Sequence, residues 1–291
     1  SLQAEIIHLD LDGWIEVANS WRKELKKQEK LISDLSLIDK RSNLIEKDYF
    51  LSSEINETDH KLIPVILPHR NSPLMIDVWN PSIQKNFRSN WILLMPGLGG
   101  NRYHFSWLAR SLSHHGWPVV VLEHPGSDTK AVESLLDGSL PLPGAEVIPD
   151  RLKDLIGIIE AKKSGKINIT GEKVVLMGHS LGALTSFLAS GINIDDQLED
   201  RCNKVLDDLS LTNLSALLQC QLVDVDLPER RNIEDLSAIV GINSFGSLLW
   251  SKNKDNQINV PIFLTGGTFD LITPSFSEQF DLLISSSSDP L

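Results

Sequence analysis

The stretch KVVLMGHSLGALTSFLASG, residues 173 to 191, sets Ser180 in a Gly-x-Ser-x-Gly pentapeptide running from Gly178 to Gly182. A serine hydroxyl attacks a carbonyl usefully only when a base takes its proton, a further group orients that base, and donors meet the oxyanion that forms. Five residues alone are a weak signal. Here an apolar strand ends at Met177 and a helical LGALTSFLAS begins at once, the strand–turn–helix context that an exposed nucleophile needs. Small residues at Gly178 and Gly182 relieve crowding at so tight a turn, and the start of a helix favours developing negative charge. The alternative is an ordinary turn closed by a helix-capping serine.

Donors for an oxyanion are expected from LLMPGLGGNRYHF, residues 93 to 105. As a phosphate cradle it fails, since Arg102 stands where a dinucleotide fingerprint needs its third glycine and a P-loop lysine is missing. As an oxyanion loop it fits: Gly97, Gly99 and Gly100 let the backbone approach a substrate closely, and Leu98 N–H and Leu181 N–H would be the two donors. The acid is sought in VPIFLTGGTFDLITP, where Asp270 is flanked by Phe269 and Leu271. A carboxylate in an apolar setting needs a partner, and orienting a histidine would supply one; an Asx turn leading to Pro274 is the alternative. Asp281, in the following helical stretch, is a poorer candidate.

The base is the missing part. The eight histidines, His8, His60, His69, His104, His114, His115, His124 and His179, all precede Asp270. His124, in VLEHPGSD, is expected to line the same rim as the oxyanion loop, as a structural or substrate-facing group. His179 is expected inside the elbow, pointing away from the neighbouring hydroxyl. His114 and His115 suit a helix C-terminus. Together with Glu123 and His124 they share no metal-ligand spacing, so no metal site is expected.

Positioning these groups requires a sheet. The short apolar runs at 91 to 95, 118 to 123, 173 to 177, 238 to 242 and 261 to 266 read as strands buried on both faces, which marks a parallel sheet. LIPVIL (62 to 67) and LMIDVW (74 to 79) read as an antiparallel pair joined by the turn-rich PHRNSP. Helices alternate with the strands: Phe105, Leu108 and Leu112 share one face of YHFSWLARSLSHH, and Leu152, Leu155, Ile156 and Ile159 one face of PDRLKDLIGIIEAKK. The pattern predicts an α/β fold, a doubly wound and mostly parallel sheet over residues 57–291, interrupted by a long acidic insertion at 193–236 that is expected to act as a lid. Residues 1–56 form a separate small module, with Leu31, Leu35 and Ile38 on one helical face and a lysine run as its solvated face.

At 291 residues, 41% hydrophobic and 23% charged, the composition is that of a globular protein with a sizeable core. No apolar run is long enough for a membrane helix, and a formal net charge of −12 argues against nucleic acid and anionic lipid surfaces as partners. The first residue is Ser1, so the compartment is not legible from the N-terminus. Cys202 and Cys220, 18 positions apart, read most simply as two buried free thiols. The other reading is a disulfide pinning the insertion, worth about 3 kcal/mol and requiring an oxidising compartment.

On PGLGGNRYHFSWLARSLSHHGWPVVVLEHPGSD, GHSLGALTSFLASG, LSALLQC and PIFLTGGTFDLITP, the chain resembles the α/β-hydrolases over about residues 61 to 284. It is most similar to the predicted dienelactone hydrolases of cyanobacteria and to platelet-activating-factor acetylhydrolase. The resemblance implies Ser180 as nucleophile, Asp270 as acid, Leu98 and Leu181 as oxyanion residues, no organic cofactor, and a small-molecule ester or lipid substrate. Residues 1–56 resemble the small module that precedes the hydrolase in the cyanobacterial proteins. Dienelactone hydrolases proper use a cysteine where this chain has serine, so the resemblance says little about the substrate. It also implies a histidine after the last strand; SFSEQFDLLISS looks like the helix before that strand, and the base is therefore expected beyond Leu291, with one edge of the last strand left unpaired. A binding module without a base and an acyltransferase are the competing readings.

Overall fold

The computed structural model describes residues 59–81, 88–139, 143–192, 194–207, 213–229, 233–250, 258–267 and 269–280. Of the first 58 residues it describes Asn19, Arg22, Lys23, Lys26 and Lys30, each helical and exposed, as the solvated face requires. The apolar positions of that module, Leu31, Leu35 and Ile38, lie outside the described residues, as do Asp281 and His8.

Seven strands form one sheet in the order β1-β2-β4-β3-β5-β6-β7. These are β1 (Asp59–Val65), β2 (Leu74–Asn80), β3 (Asn90–Met95), β4 (Val119–Leu122), β5 (Lys173–His179), β6 (Leu236–Ile242) and β7 (Ile262–Thr265). The predicted hairpin is present, β1 pairing antiparallel with β2 from Asp59 opposite Asn80 to Val65 opposite Leu74. β2 pairs antiparallel with β4, and β4, β3, β5, β6 and β7 run parallel. Pro64 is tolerated because β1 lies at the edge of the described sheet.

The central strands are apolar throughout because both faces are covered. Alternate side chains of β3 go to opposite cores: Trp91, Leu93 and Met95 to one, Ile92 and Leu94 to the other. The first core is closed by α3 (Ile148–Lys163) and α4 (Leu181–Ala189), the second by α1 (Ser106–His114). Phe105, Leu108 and Leu112 pack against the second core, as their spacing predicts. The sheet is therefore doubly wound. A short α2 (Thr129–Leu136), capped by the Asp128 side chain on Ala131 N at 3.0 Å, follows β4.

The insertion holds α5 (Leu198–Asp207) and α6 (Ser215–Cys220). Cys202 and Cys220 are not free thiols: they form a disulfide across α5 and α6, with Cα atoms 5.4 Å apart. Cys202 is buried among the insertion's apolar side chains, so sequence distance concealed an ordinary bonding distance. Among the described residues no helix is long and apolar enough to cross a membrane.

Candidate active site

β5 delivers Ser180 at its C-terminal end, between His179 and the first turn of α4. Ser180 has φ 50° and ψ −118°, a conformation that costs an L-residue about 1–3 kcal/mol and persists only where its surroundings over-determine it. They do so here. Ser180 N donates to Ile242 O of β6 at 2.9 Å, and Ser180 O accepts from Ala183 N and Leu184 N at 2.9 and 3.1 Å. A Cβ on Gly178 would come within 2.2 Å of the Gly182 backbone, and one on Gly182 within 2.2 Å of Met95 O. The turn closes only without side chains at those two positions. Ser180 makes no side-chain capping bond to α4, which removes the helix-cap reading and leaves its hydroxyl without a hydrogen bond among the described residues.

The loop after β3 lies against this turn. A Cβ on Gly97 would sit 3.0 Å from Ser180 Cβ and 3.1 Å from His179 Nδ1, so only glycine admits the elbow so close. The loop is folded by Gly100 N donating to Gly97 O at 3.1 Å and Gly99 N to Ser127 O at 2.8 Å, with Gly99 at φ 72°. Leu98 is half-buried and Leu181 is the first residue of α4, whose leading N–H groups have no intrahelical acceptor. Beyond the loop, Asn101 caps a 3-10 turn (Arg102–Phe105) through Tyr103 N and His104 N. Arg102 is anchored on Glu123 at 3.2 Å and Asp77 at 3.3 Å.

Asp270 follows β7. One carboxylate oxygen accepts from Ile272 N and Thr273 N, each at 2.9 Å, and the other from Thr273 Oγ1 at 2.7 Å and Asn243 Nδ2 at 2.5 Å. Burial pushes this carboxyl up, but the four hydrogen bonds outweigh it and hold the group below the usual aspartate range. The Asx turn is thus present, and among the described residues the side-chain partners of Asp270 are Asn243 and Thr273. Asn243, at φ 48°, is the first residue after β6 and so sits beside the strand that holds Ser180. No feature of the sequence pointed to it, because it stands 27 residues from Asp270.

No hydrogen bond joins Asp270 or Ser180 to a histidine among the described residues. His179, next to Ser180, has its ring 5.5 Å from that of Phe105. Burial pushes its imidazole down, the charge of Asp270 pulls it partly back up, and His104 lowers it further. His124 does not line the rim. It is fully buried, with Nδ1 2.9 Å from Asp154 Oδ2, and burial and the charge of Arg151 push it down to about 4. Its turn, His124–Ser127, is tied to the Gly99 loop by Gly99 N donating to Ser127 O at 2.8 Å. His69 shares Asp154 at 2.8 Å, His60 stacks on Trp79 and meets Asp77 at 2.9 Å, and His115 meets Ser111 O at the end of α1 at 2.7 Å.

The insertion divides. Asn213 and Gln219 bind the buried Glu278, and Ser215 N donates to Ile272 O at 2.9 Å, so α6 rests on the loop that carries Asp270. Leu222 and Val225 to Glu229 instead line a cavity of about 760 Å³ against α3 and the end of α4. That cavity includes no residue of the turn at Ser180 or of the Gly97–Gly100 loop.

Among solved structures the chain is similar to the acylaminoacyl peptidase of Pyrococcus horikoshii, at 12% identity and TM-score 0.43 over 77% of this chain and 34% of that one. It is also similar to the dienelactone hydrolase of Anabaena variabilis ATCC 29413, at 14% identity and TM-score 0.48 over 79% and 82%. The chain spans about a third of the peptidase's length. No family model matches, and no curated protein matches. The fold itself, that of the α/β-hydrolases, is carried by the sheet order and the strand–turn–helix at Ser180.

Proposed function

We propose that this chain is a serine hydrolase of carboxylic esters that works through an acyl-enzyme on Ser180. Ser180 Oγ attacks the acyl carbonyl as the histidine that Asp270 orients takes its proton, Leu98 N–H and Leu181 N–H meet the oxyanion, and the acyl C–O bond then breaks as the alcohol leaves with that proton. Water then releases the acid from the acyl-enzyme. The observation that carries this reading is the backbone of Ser180: a strained non-glycine turn, closed on two glycines and making no capping bond, has no use as a helix cap. Residues 1–56 and 57–291 are taken as separate units, with 193–236 as the lid over the acyl group. A small ester or lipid is the substrate class.

One observation favours a binding module without catalysis: all four hydrogen bonds to Asp270 come from groups other than histidine. The two readings part on turnover. Full-length protein should hydrolyse p-nitrophenyl esters, and Ser180→Ala should lower kcat by about 10⁴ to 10⁶ with an unchanged melting temperature. Turnover equal in the two proteins would contradict the hydrolase reading.

A further inference from the structure

Arg151, in the first turns of α3, is 1% exposed, and none of its hydrogen bonds goes to a carboxylate. Nη2 donates to Pro96 O at 2.6 Å, Nη1 to Ser127 Oγ at 2.7 Å and Nε to Thr185 Oγ1 at 3.1 Å. Each acceptor leads to a different wall of the candidate site. Pro96 is the residue before Gly97 and Leu98. Ser127 holds Gly99 N through its carbonyl at 2.8 Å, and its hydroxyl donates onward to His124 O at 3.2 Å. Thr185 donates to Leu181 O at 2.7 Å, inside the first turn of α4. A single guanidinium therefore bridges the loop that carries Leu98 and the helical turn that carries Leu181.

A cation in this place is expensive. Burial pushes the guanidinium down to about 9. Asp154, one turn along α3, balances the charge only at a distance, because its oxygens are already taken by His69, Arg70 and His124. A buried cation is weak evidence of added stability, and an apolar side chain of similar volume would leave Pro96 O without this donor. It could not hold three acceptors at fixed angles, which is what a planar fork of donors does.

We infer that Arg151 is a positioning residue that fixes the spacing between the Leu98 and Leu181 N–H groups, so that the two donors are held as one rigid unit. The kinetic consequence rests on the acyl-enzyme reading above; the mechanical one does not. Lysine at 151 keeps the charge but loses the fork, so Arg151→Lys is the main variant. Thr185→Val and Ser127→Ala each remove one leg and serve if Arg151→Lys fails to fold.

Two readouts on the full chain separate the possibilities. In amide hydrogen exchange, Arg151→Lys should speed exchange at Gly99 and Gly100 and at Ala183 and Leu184 together, by at least about tenfold, while β3 stays protected. Unchanged exchange in either segment overturns the inference, whatever the protein's activity. In ester hydrolysis, kcat should fall about 100-fold with KM within about twofold, and Thr185→Val should fall between the wild type and Arg151→Lys. A loss that tracks only the unfolded fraction, and disappears on cooling, also overturns it. If the wild type turns over no ester, the acyl-enzyme reading fails and the exchange data alone decide on Arg151.

Discussion

The serine side and the acid side of this site are built from different materials. On the serine side, β3 and β5 run through the middle of the sheet, and every residue from Trp91 to Met95 is buried. Ser180 is held there by backbone against backbone, with no room for a Cβ at Gly178 or Gly182, and the buried fork of Arg151 ties Pro96 to Thr185 nearby. On the acid side, β7 has half-buried and exposed residues in alternation, and Phe263, Phe269 and Ile272 are 62%, 70% and 58% exposed. Asp270 is held there by a polar turn at the edge of the described sheet. On the proposed hydrolase reading, the contrast suits the work of each side. A nucleophile and its donors must keep tenths of an ångström against developing charge, which steric closure supplies; a carboxylate that only orients another group can be held by hydrogen bonds that adjust.

The sharpest way to break this comparison is to add one methyl group to each side. Gly178→Ala should cost more than about 3 kcal/mol in a urea or thermal melt, because the clash is with backbone that has nowhere to move. Gly267→Ala, beside Asp270, meets nothing closer than 3.9 Å and should cost less than about 0.5 kcal/mol. Equal costs would mean that the two sides are not differently built.

A smaller effect is expected from acid, and it belongs to the serine side. His124 has a folded value of about 4 against 6.5 when unfolded, so the unfolded chain takes up its proton first. Stability should therefore fall as pH drops from about 6.5 to about 4, by an amount on the order of 3 kcal/mol. Asp154 and Asp270 both hold their charge below the ordinary carboxylate range, so their contributions are lost only at lower pH still. Melts of His124→Asn against the wild type across this window check it: the variant's curve should lose this slope, and parallel curves would assign the slope elsewhere.

The serine side was also the more legible in the sequence. An apolar run, two glycines flanking x-Ser-x and an immediate helix are local signals, and the turn follows from them because its contacts lie within a few residues. The close approach of the loop at Gly97 to this turn depended on a glycine-rich run after another apolar strand, again a local pattern. Arg151 lies three residues after Ile148 and one before Leu152, on the buried stripe of α3. A charged residue on an apolar stripe was the available signal, and Asp154, one turn along, repeats it. On the acid side the position of Asp270 was legible, but its partner Asn243 was not, since the two meet only when β6 and β7 pair. His124 was misplaced for a similar reason: a strand end reads as a rim, and only the fold of the Gly99 loop over His124–Ser127 shows that this end is covered. The disulfide likewise depends on how α5 and α6 pack, which spacing does not determine.

The central claim is that Ser180 is an activated nucleophile, and intact-mass spectrometry of the full-length protein after brief exposure to a fluorophosphonate tests it most directly. The account predicts one adduct per chain, mapped to Ser180 by peptide sequencing and absent from Ser180→Ala, formed far faster than on the urea-unfolded protein. A folded wild-type protein that gains no adduct, or gains one at a different serine, would contradict it.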